Sequence, residues 1–291
     1  MEDTVKEAHK IYLENFKPYT WFERAIFFSW YCGIRDCAYC YMSTQPKEIR
    51  QVARRTTESI IAEVIICKCL GWKVGFISGG IGAYTTEGFE ELLRSIYTVT
   101  REKLWINIGA LSRKELVKYL PYIKGVVGSI ETVNKRIHSK VCPSKPVEPY
   151  VEMFSHARKL GLKNAMTIIV GLGETIDDFS NLERFIRKNS ITKIHVYGLN
   201  PQKGTVFEHV EPPTAEYQAE WIARTRIAFP KIDIQCGIWV DKVGYVKSLL
   251  EAGANSISKF PAIRYFGKKE AATVEEQACM AGRKFIGTLT S

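Results

Sequence analysis

Apolar positions recur along the chain in two alternating rhythms. Short runs rich in β-branched and aromatic residues give way to longer stretches with apolar residues three and four apart. The first rhythm marks a strand in a packed sheet and the second an amphipathic helix. The segment 2–15 carries Val5, Ala8, Ile11 and Tyr12 and reads as a helix outside the core. Strands are expected over 25–29, 73–77, 104–108, 125–130, 165–170, 193–199, 232–239 and 255–258. Helices are expected over 57–70, 86–99, 112–120, 147–160, 177–188, 214–229 and 243–251. Thr56 or Thr57 is placed to cap one helix, Gly71, Gly161 and Gly253 to end others, and Pro121 to stop another. The stretch through Cys142 and Pro143 reads as a long loop. Strict strand–helix alternation argues for an α/β fold, and eight such units favour a closed (βα)8 barrel of the TIM type. The domain plan is then an N-terminal helical extension over 1–24, a barrel over 25–260, and a tail over 261–291 expected to lie across the barrel mouth.

Composition narrows the class. No run of about 18 apolar residues occurs, so no membrane span is expected. The charged first ten residues do not read as a signal peptide. Eight cysteines without an export signal suit a reducing, cytoplasmic interior, where cysteine serves as ligand or core filler. The net charge of +10 points loosely to an acidic protein partner, and no basic–aromatic RNA-binding run accompanies it.

Three of the eight cysteines, Cys32, Cys37 and Cys40, fall in a C-x4-C-x2-C loop directly behind the first strand. A tight triplet there suits an iron–sulfur cluster with one iron left open. A structural zinc site would want a fourth cysteine or histidine nearby. In a barrel the loops that follow the strands build the active site. Ser78-Gly79-Gly80, Glu131-Thr132, the segment 171–175 and Asn200-Pro201 also follow strands, so they converge on the same mouth. Glycines 79 and 80 allow close approach of backbone to a ligand, and Glu131 could accept hydrogen bonds from ribose hydroxyls. Arg35 and Asp36 read as an ion pair bracing the loop, and His195 and Tyr197 as either pocket wall or core. Lys203, Lys259 and Arg264 are candidates to grip a carboxylate, or solvated charges.

The triplet resembles the cluster loop of the radical S-adenosylmethionine (SAM) enzymes, with Tyr39 as the aromatic before the last cysteine and a first gap one residue longer than usual. The resemblance implies a four-iron, four-sulfur cluster that binds SAM and yields a 5′-deoxyadenosyl radical. It implies cofactor contacts at Tyr39, Ser78, Gly79, Gly80, Ser129, Glu131, Gly171 and Leu172. The run 129–133 is similar to a segment of lipoyl synthases, and 170–175 to one shared by lipoyl and biotin synthases. Matching those motifs puts biotin synthase's two-iron ligand positions at Ile77, Trp105, Ala165 and Ile238, none of which can hold iron.

The remaining cysteines steer the expectation of function. Cys142, Cys236 and Cys279 could hold an auxiliary cluster serving as sulfur donor, with Cys67 and Cys69 set aside at the barrel bottom. The chain then most resembles a subunit of the archaeal two-component lipoyl synthase. That implies sulfur insertion into a bound octanoyl group. The partners implied are an octanoylated acidic carrier protein or peptide, a second radical SAM subunit and an electron donor. The alternative is a maturase-type radical SAM enzyme, of hydrogenase-cofactor or methylornithine kind, without sulfur insertion. A tRNA methylthiolase and a zinc-binding module are the alternatives of other classes.

Overall fold

The computed structural model describes residues 2–45 and 54–291. Helix α1 (Glu2–Asn15) and the short strand β1 (Tyr19–Trp21) lead into β2 (Glu23–Ser29). Seven strands follow: β3 (Lys73–Gly79), β4 (Leu104–Asn107), β5 (Ile123–Glu131), β6 (Lys163–Val170), β7 (Ile191–Gly198), β8 (Asp233–Gly237) and β9 (Ser256–Ser258). β2 to β9 lie side by side in chain order, every neighbouring pair parallel. A parallel bridge between Phe22 and Ile257 brings the last strand back to the first, so the sheet is a nearly closed barrel. The fold expected from the alternation is the fold observed.

Outside the strands run α2 (Thr57–Cys69), α3 (Thr86–Thr100), α4 (Arg113–Tyr119), α5 (Lys135–Val141), α6 (Glu148–Lys159), α7 (Phe179–Lys188), α8 (Ala215–Ala228) and α9 (Val246–Glu251). Their starts are fixed locally. The Thr56, Thr85, Ser112 and Thr214 hydroxyls each accept a backbone N–H from the first turn of their helix. Ser112 and Glu115 complete a capping box. The segment expected as a loop before Cys142 instead holds α5, begun by the Asn134 side chain accepting from Ile137 N–H.

Alternation along each strand divides the barrel wall into two faces. Outward side chains such as Ile77, Ile106, Val126, Ile194, Ile234 and Ile257 pack under the helices in the main core. Inward, Phe76, Trp105, Val127 and Ala165 form an apolar plug. At the N-terminal ends of the strands lies a buried polar knot. Lys193 Nζ donates to both Glu23 carboxylate oxygens at 2.8 Å and to Asp233 at 2.9 Å. Gln235 and Trp21 donate to the same Glu23 at 2.6 and 2.8 Å. Burial alone would raise the Glu23 pKa, but the Lys193 ammonium and these hydrogen bonds outweigh it and bring the group down to about 2.

The tail corrects one expectation. Helix α10 (Ala262–Tyr265) and α11 (Lys269–Met280) leave the top of β9, and β10 (Lys284–Ile286) then pairs with β1, upstream of β2. Trp72 Nε1 donates to the Thr288 carbonyl at 2.6 Å, just before β3 begins. The tail therefore ends under the barrel bottom, not over its mouth. The reason is topological: α11 is the helix of the eighth βα unit, and a helix returning antiparallel to its strand must finish at the strands' N-terminal side.

Candidate active site at the barrel mouth

The loop after β2 is held by its own backbone and by the loop after β3. Gly33 N–H donates to the Ile81 carbonyl at 2.7 Å, and Cys40 N–H to the Cys37 carbonyl at 3.0 Å. Arg35, at φ +52°, turns its Nε onto the Cys32 carbonyl at 2.7 Å and its guanidinium over the Tyr31 ring at 4.5 Å. The expected Arg35–Asp36 ion pair is replaced by that backbone contact. Gly80 is set by the loop itself: an added Cβ would lie 1.7 Å from the Tyr31 carbonyl oxygen and 2.6 Å from Cys32 Cα. At Gly79 a Cβ would strike the Phe28 ring at 2.2 Å. The glycine pair thus lets the cysteine loop lie directly on the end of β3.

Cys32, Cys37 and Cys40 line one cavity of about 200 Å³ in the mouth, together with Tyr39, Ser78, Gly79, Gly80, Ser129 and Glu131. Burial pushes the Cys40 thiol up to about 11. Among the described residues no three His, Cys, Asp or Glu side chains converge as a single-ion site. A four-iron cluster asks for a different arrangement, because each thiolate takes its own iron at a separate corner. Three soft donors around one partly enclosed space, with two glycines that let the cysteine loop close against the end of β3, fit that group. A larger hollow of about 530 Å³, bordered by Val5, His9, Glu216 and Glu251, lies away from the mouth and has no cysteine on its walls.

The other walls show what sequence reasoning missed. Asn107, at the end of β4, accepts the Ser129 hydroxyl on Oδ1 at 2.9 Å, and its carbonyl accepts the Ser78 hydroxyl at 3.1 Å. Glu131 sits at φ +64° and its carboxylate meets Lys145 Nζ at 2.6 Å, both groups buried. Lys145 takes Oε1 of this carboxylate, which the sequence marks as an acceptor for ribose hydroxyls and which still lines the cavity. Lys145 follows α5 and carries no local signal of its role. Tyr197 lines the cavity, with its hydroxyl donating to Gln235 Oε1 at 2.8 Å. His195 lies beneath it, buried, with Nδ1 3.1 Å from Thr167 Oγ1. Burial holds its pKa well below the usual range, so the imidazole stays neutral. Lys259, at φ +67°, reaches into the cavity with Nζ 4.8 Å from the Tyr197 ring centroid and 5.2 Å from that of Phe27. Burial lowers its pKa to about 8. Lys203 and Arg264 are exposed instead.

Gly171 and Leu172 are not cavity walls. Their N–H groups donate to the Glu174 carboxylate at 2.6 and 2.9 Å, and Leu172 packs in a small apolar cluster behind the cysteine loop. The cysteines expected to share an auxiliary cluster are scattered. Cys142 is buried in the apolar cluster behind the loop, against which Cys37 packs. Cys236 faces outward from β8, fully buried, its thiol 3.4 Å from the Ser256 carbonyl. Cys279 is exposed on α11. Cys67 is buried and Cys69 exposed on α2. Of the four positions matched to two-iron ligands, Trp105 belongs to the interior plug while Ile77 and Ile238 face the outer core. The interior positions Phe76, Trp105 and Ala165 offer iron no donor.

Residues 30–186 match the Radical SAM superfamily, more than half of the chain. An uncharacterised protein of Methanocaldococcus jannaschii is 38% identical over 291 residues, covering 99% of this chain and 80% of its own length. A biotin synthase of Clostridium perfringens is 27% identical over 244 residues, 77% of this chain and 72% of that protein. Among solved structures, methylornithine synthase superposes with a TM-score of 0.81 at 20% identity, over 97% of this chain and 88% of that one. At that identity the likeness is one of fold.

Proposed function

The chain belongs to the radical SAM superfamily, and we propose that it is an enzyme that removes hydrogen from a C–H bond of a small substrate in the barrel mouth, without sulfur insertion. Membership implies a four-iron, four-sulfur cluster and SAM as cofactors. The observation that carries the finer reading is the scatter of Cys142, Cys236 and Cys279 across the inner loop, the outer core and the surface. A sulfur-donating auxiliary cluster needs thiolates that meet, and these do not. This argues against the octanoyl-sulfurating reading and for its maturase-type alternative.

Cys32, Cys37 and Cys40 would hold the cluster. When bound, it supplies the electron that splits SAM into methionine and the 5′-deoxyadenosyl radical. The chain's own contribution is orientation and exclusion of water. Gly79 and Gly80 bring bare backbone to the cavity wall, while Phe27, Phe76 and Tyr197 give it an apolar floor. Asn107 fixes the hydroxyls of Ser78 and Ser129. The Glu131–Lys145 pair neutralises itself, which leaves Lys259, among the described residues, as the cation facing the substrate space.

Iron and sulfide counting on anaerobically reconstituted protein tests this. About four irons per chain are expected, with 5′-deoxyadenosine released from SAM under reductant. An octanoyl-lysyl peptide should give no thiolated product by mass. About eight irons, falling on Cys142→Ala or Cys236→Ala, would restore the sulfur-insertion reading.

A further inference from the structure

Lys259 stands just past β9, and its backbone is what turns it into the mouth. Along β9, Ile257 faces the outer core and Ser258 the barrel, its hydroxyl 3.5 Å from that of Tyr197. A period of two would send the next residue outward again. Instead Lys259 takes φ +67°, and its side chain lines the cavity with Phe27, Phe76 and Tyr197. The turn is held on both sides: the Ser258 carbonyl accepts Ile238 N–H at 2.9 Å, and Phe260 is fully buried. Glycine adopts that φ without strain, so a lysine held there marks a place to look for function. The ammonium lies 4.8 and 5.2 Å from the Tyr197 and Phe27 ring centroids. Among the described residues, no acceptor takes a hydrogen bond from it and no carboxylate pairs with it. Ring faces attract a cation but fill none of its three N–H donors.

We propose that Lys259 anchors the carboxylate of the substrate, a small organic acid whose apolar chain lies on Phe27, Phe76 and Tyr197. The proposal rests on the reading of the mouth as a hydrogen-abstracting site and names the class of molecule that site takes. An unpaired cation in a partly enclosed, largely apolar space wants an anion that fills its donors, and a charge-assisted pair is stronger there than in water. One ammonium matches one negative charge. A phosphate would ask for several donors, and Lys145 is already held by Glu131 at 2.6 Å. The Ser78 and Ser129 hydroxyls donate to Asn107, so they do not compete for the acid. Held by its head group, the acid keeps its C–H bonds in the cavity that Cys32, Cys37 and Cys40 line. SAM carries a carboxylate too, so the test must separate the two sources.

Butanoate and butanamide are titrated into cluster-loaded full-length protein with saturating SAM and no reductant, and binding is followed by saturation-transfer NMR. SAM then occupies the open iron, and without an electron nothing turns over. Butanoate should bind with a Kd of about 1–10 mM, and butanamide at least about tenfold more weakly. Acetate should bind about four- to fifteenfold more weakly than butanoate, since two methylenes leave the apolar floor. Lys259→Met removes the charge at similar length and should weaken butanoate at least about tenfold, with the SAM Kd kept within about twofold. The variant should fold, because a cation without a counter-ion adds nothing to stability when buried. Equal affinity for butanoate and butanamide in the unsubstituted protein overturns the proposal, and that comparison needs no variant. So does butanoate binding that Lys259→Met leaves intact, or the absence of saturable butanoate binding. A SAM affinity that falls with Lys259→Met, or butanoate binding that appears only without SAM, gives the cation to SAM's carboxylate and overturns the proposal as well. Protein that binds no cluster through Cys32, Cys37 and Cys40 shows itself separately, by its missing iron, and sinks the reading beneath the proposal.

Discussion

Replacing Lys193 with Met should be among the most damaging single changes outside the mouth. Lys193 joins three strands, donating to Glu23 on β2 and to Asp233 on β8 from its own place on β7. The Lys193 and Glu23 side chains are 5% and 4% exposed, whereas Asp233 is 38% exposed. Methionine keeps the length and removes the charge, so Glu23 is left as a buried carboxylate without a counter-ion. Such a loss costs about 3–5 kcal/mol. The half-open Asp233 adds little, because water screens it. The pKa of Glu23 gives an independent figure. Its fall from 4.5 to about 2 on folding, at 1.36 kcal/mol per pH unit, corresponds to about 3 kcal/mol. A carboxylate whose pKa is depressed by folding lends its stability above the unfolded value. Stability should therefore be full above about pH 5 and decline as pH falls toward 2. Denaturant unfolding followed by circular dichroism at pH 7 should show the loss, accompanied by a fall in Tm of about 6–10 °C. The deficit should narrow at pH 4, where the uncompensated Glu23 takes up a proton. Adding Glu23→Gln to the variant should return about half of the stability, since a neutral amide needs no cation. A loss below about 1 kcal/mol at pH 7 would refute the reasoning, as would a deficit that does not change with pH.

Gly80→Ala should leave the far-ultraviolet spectrum unchanged but cut the iron bound after reconstitution by more than about half, because the new methyl displaces the cysteine loop. Cys32→Ala, Cys37→Ala and Cys40→Ala should each abolish 5′-deoxyadenosine formation, whereas Cys279→Ala, exposed on α11, should leave both iron content and SAM cleavage at their starting levels. Lys145→Met should destabilise by about 3–5 kcal/mol in urea melts, and Glu131→Gln added to it should offset much of that. Removing residues 284–291 strips β10 from β1 and the Thr288 carbonyl from Trp72. Tm should fall, while residual SAM cleavage at low temperature persists because the tail lies under the barrel.

Much of this molecule is written locally in the chain. The strand–helix alternation, the threonine and serine caps, the glycine helix ends and the cysteine loop behind the first strand each depend on residues a few positions apart. Such features can be read without knowing what the chain later meets. Once eight βα units are counted, the closed barrel follows, and with it the placing of the triplet at the mouth. The tertiary structure decided what depends on register and on distant partners. Cys236 and Gln235 are adjacent, yet a period of two sends one into the outer core and the other into the barrel, so nearness to the top of a strand did not make Cys236 a ligand. The pairing of Glu131 with Lys145 has no local signal, because Lys145 lies beyond an intervening helix. The tail crossed the bottom rather than the mouth because it carries the eighth helix before its last strand. Local chemistry is fixed by neighbours in sequence, but the pairing of buried charges and thiols is fixed only when the barrel closes and decides which side chains share the space inside.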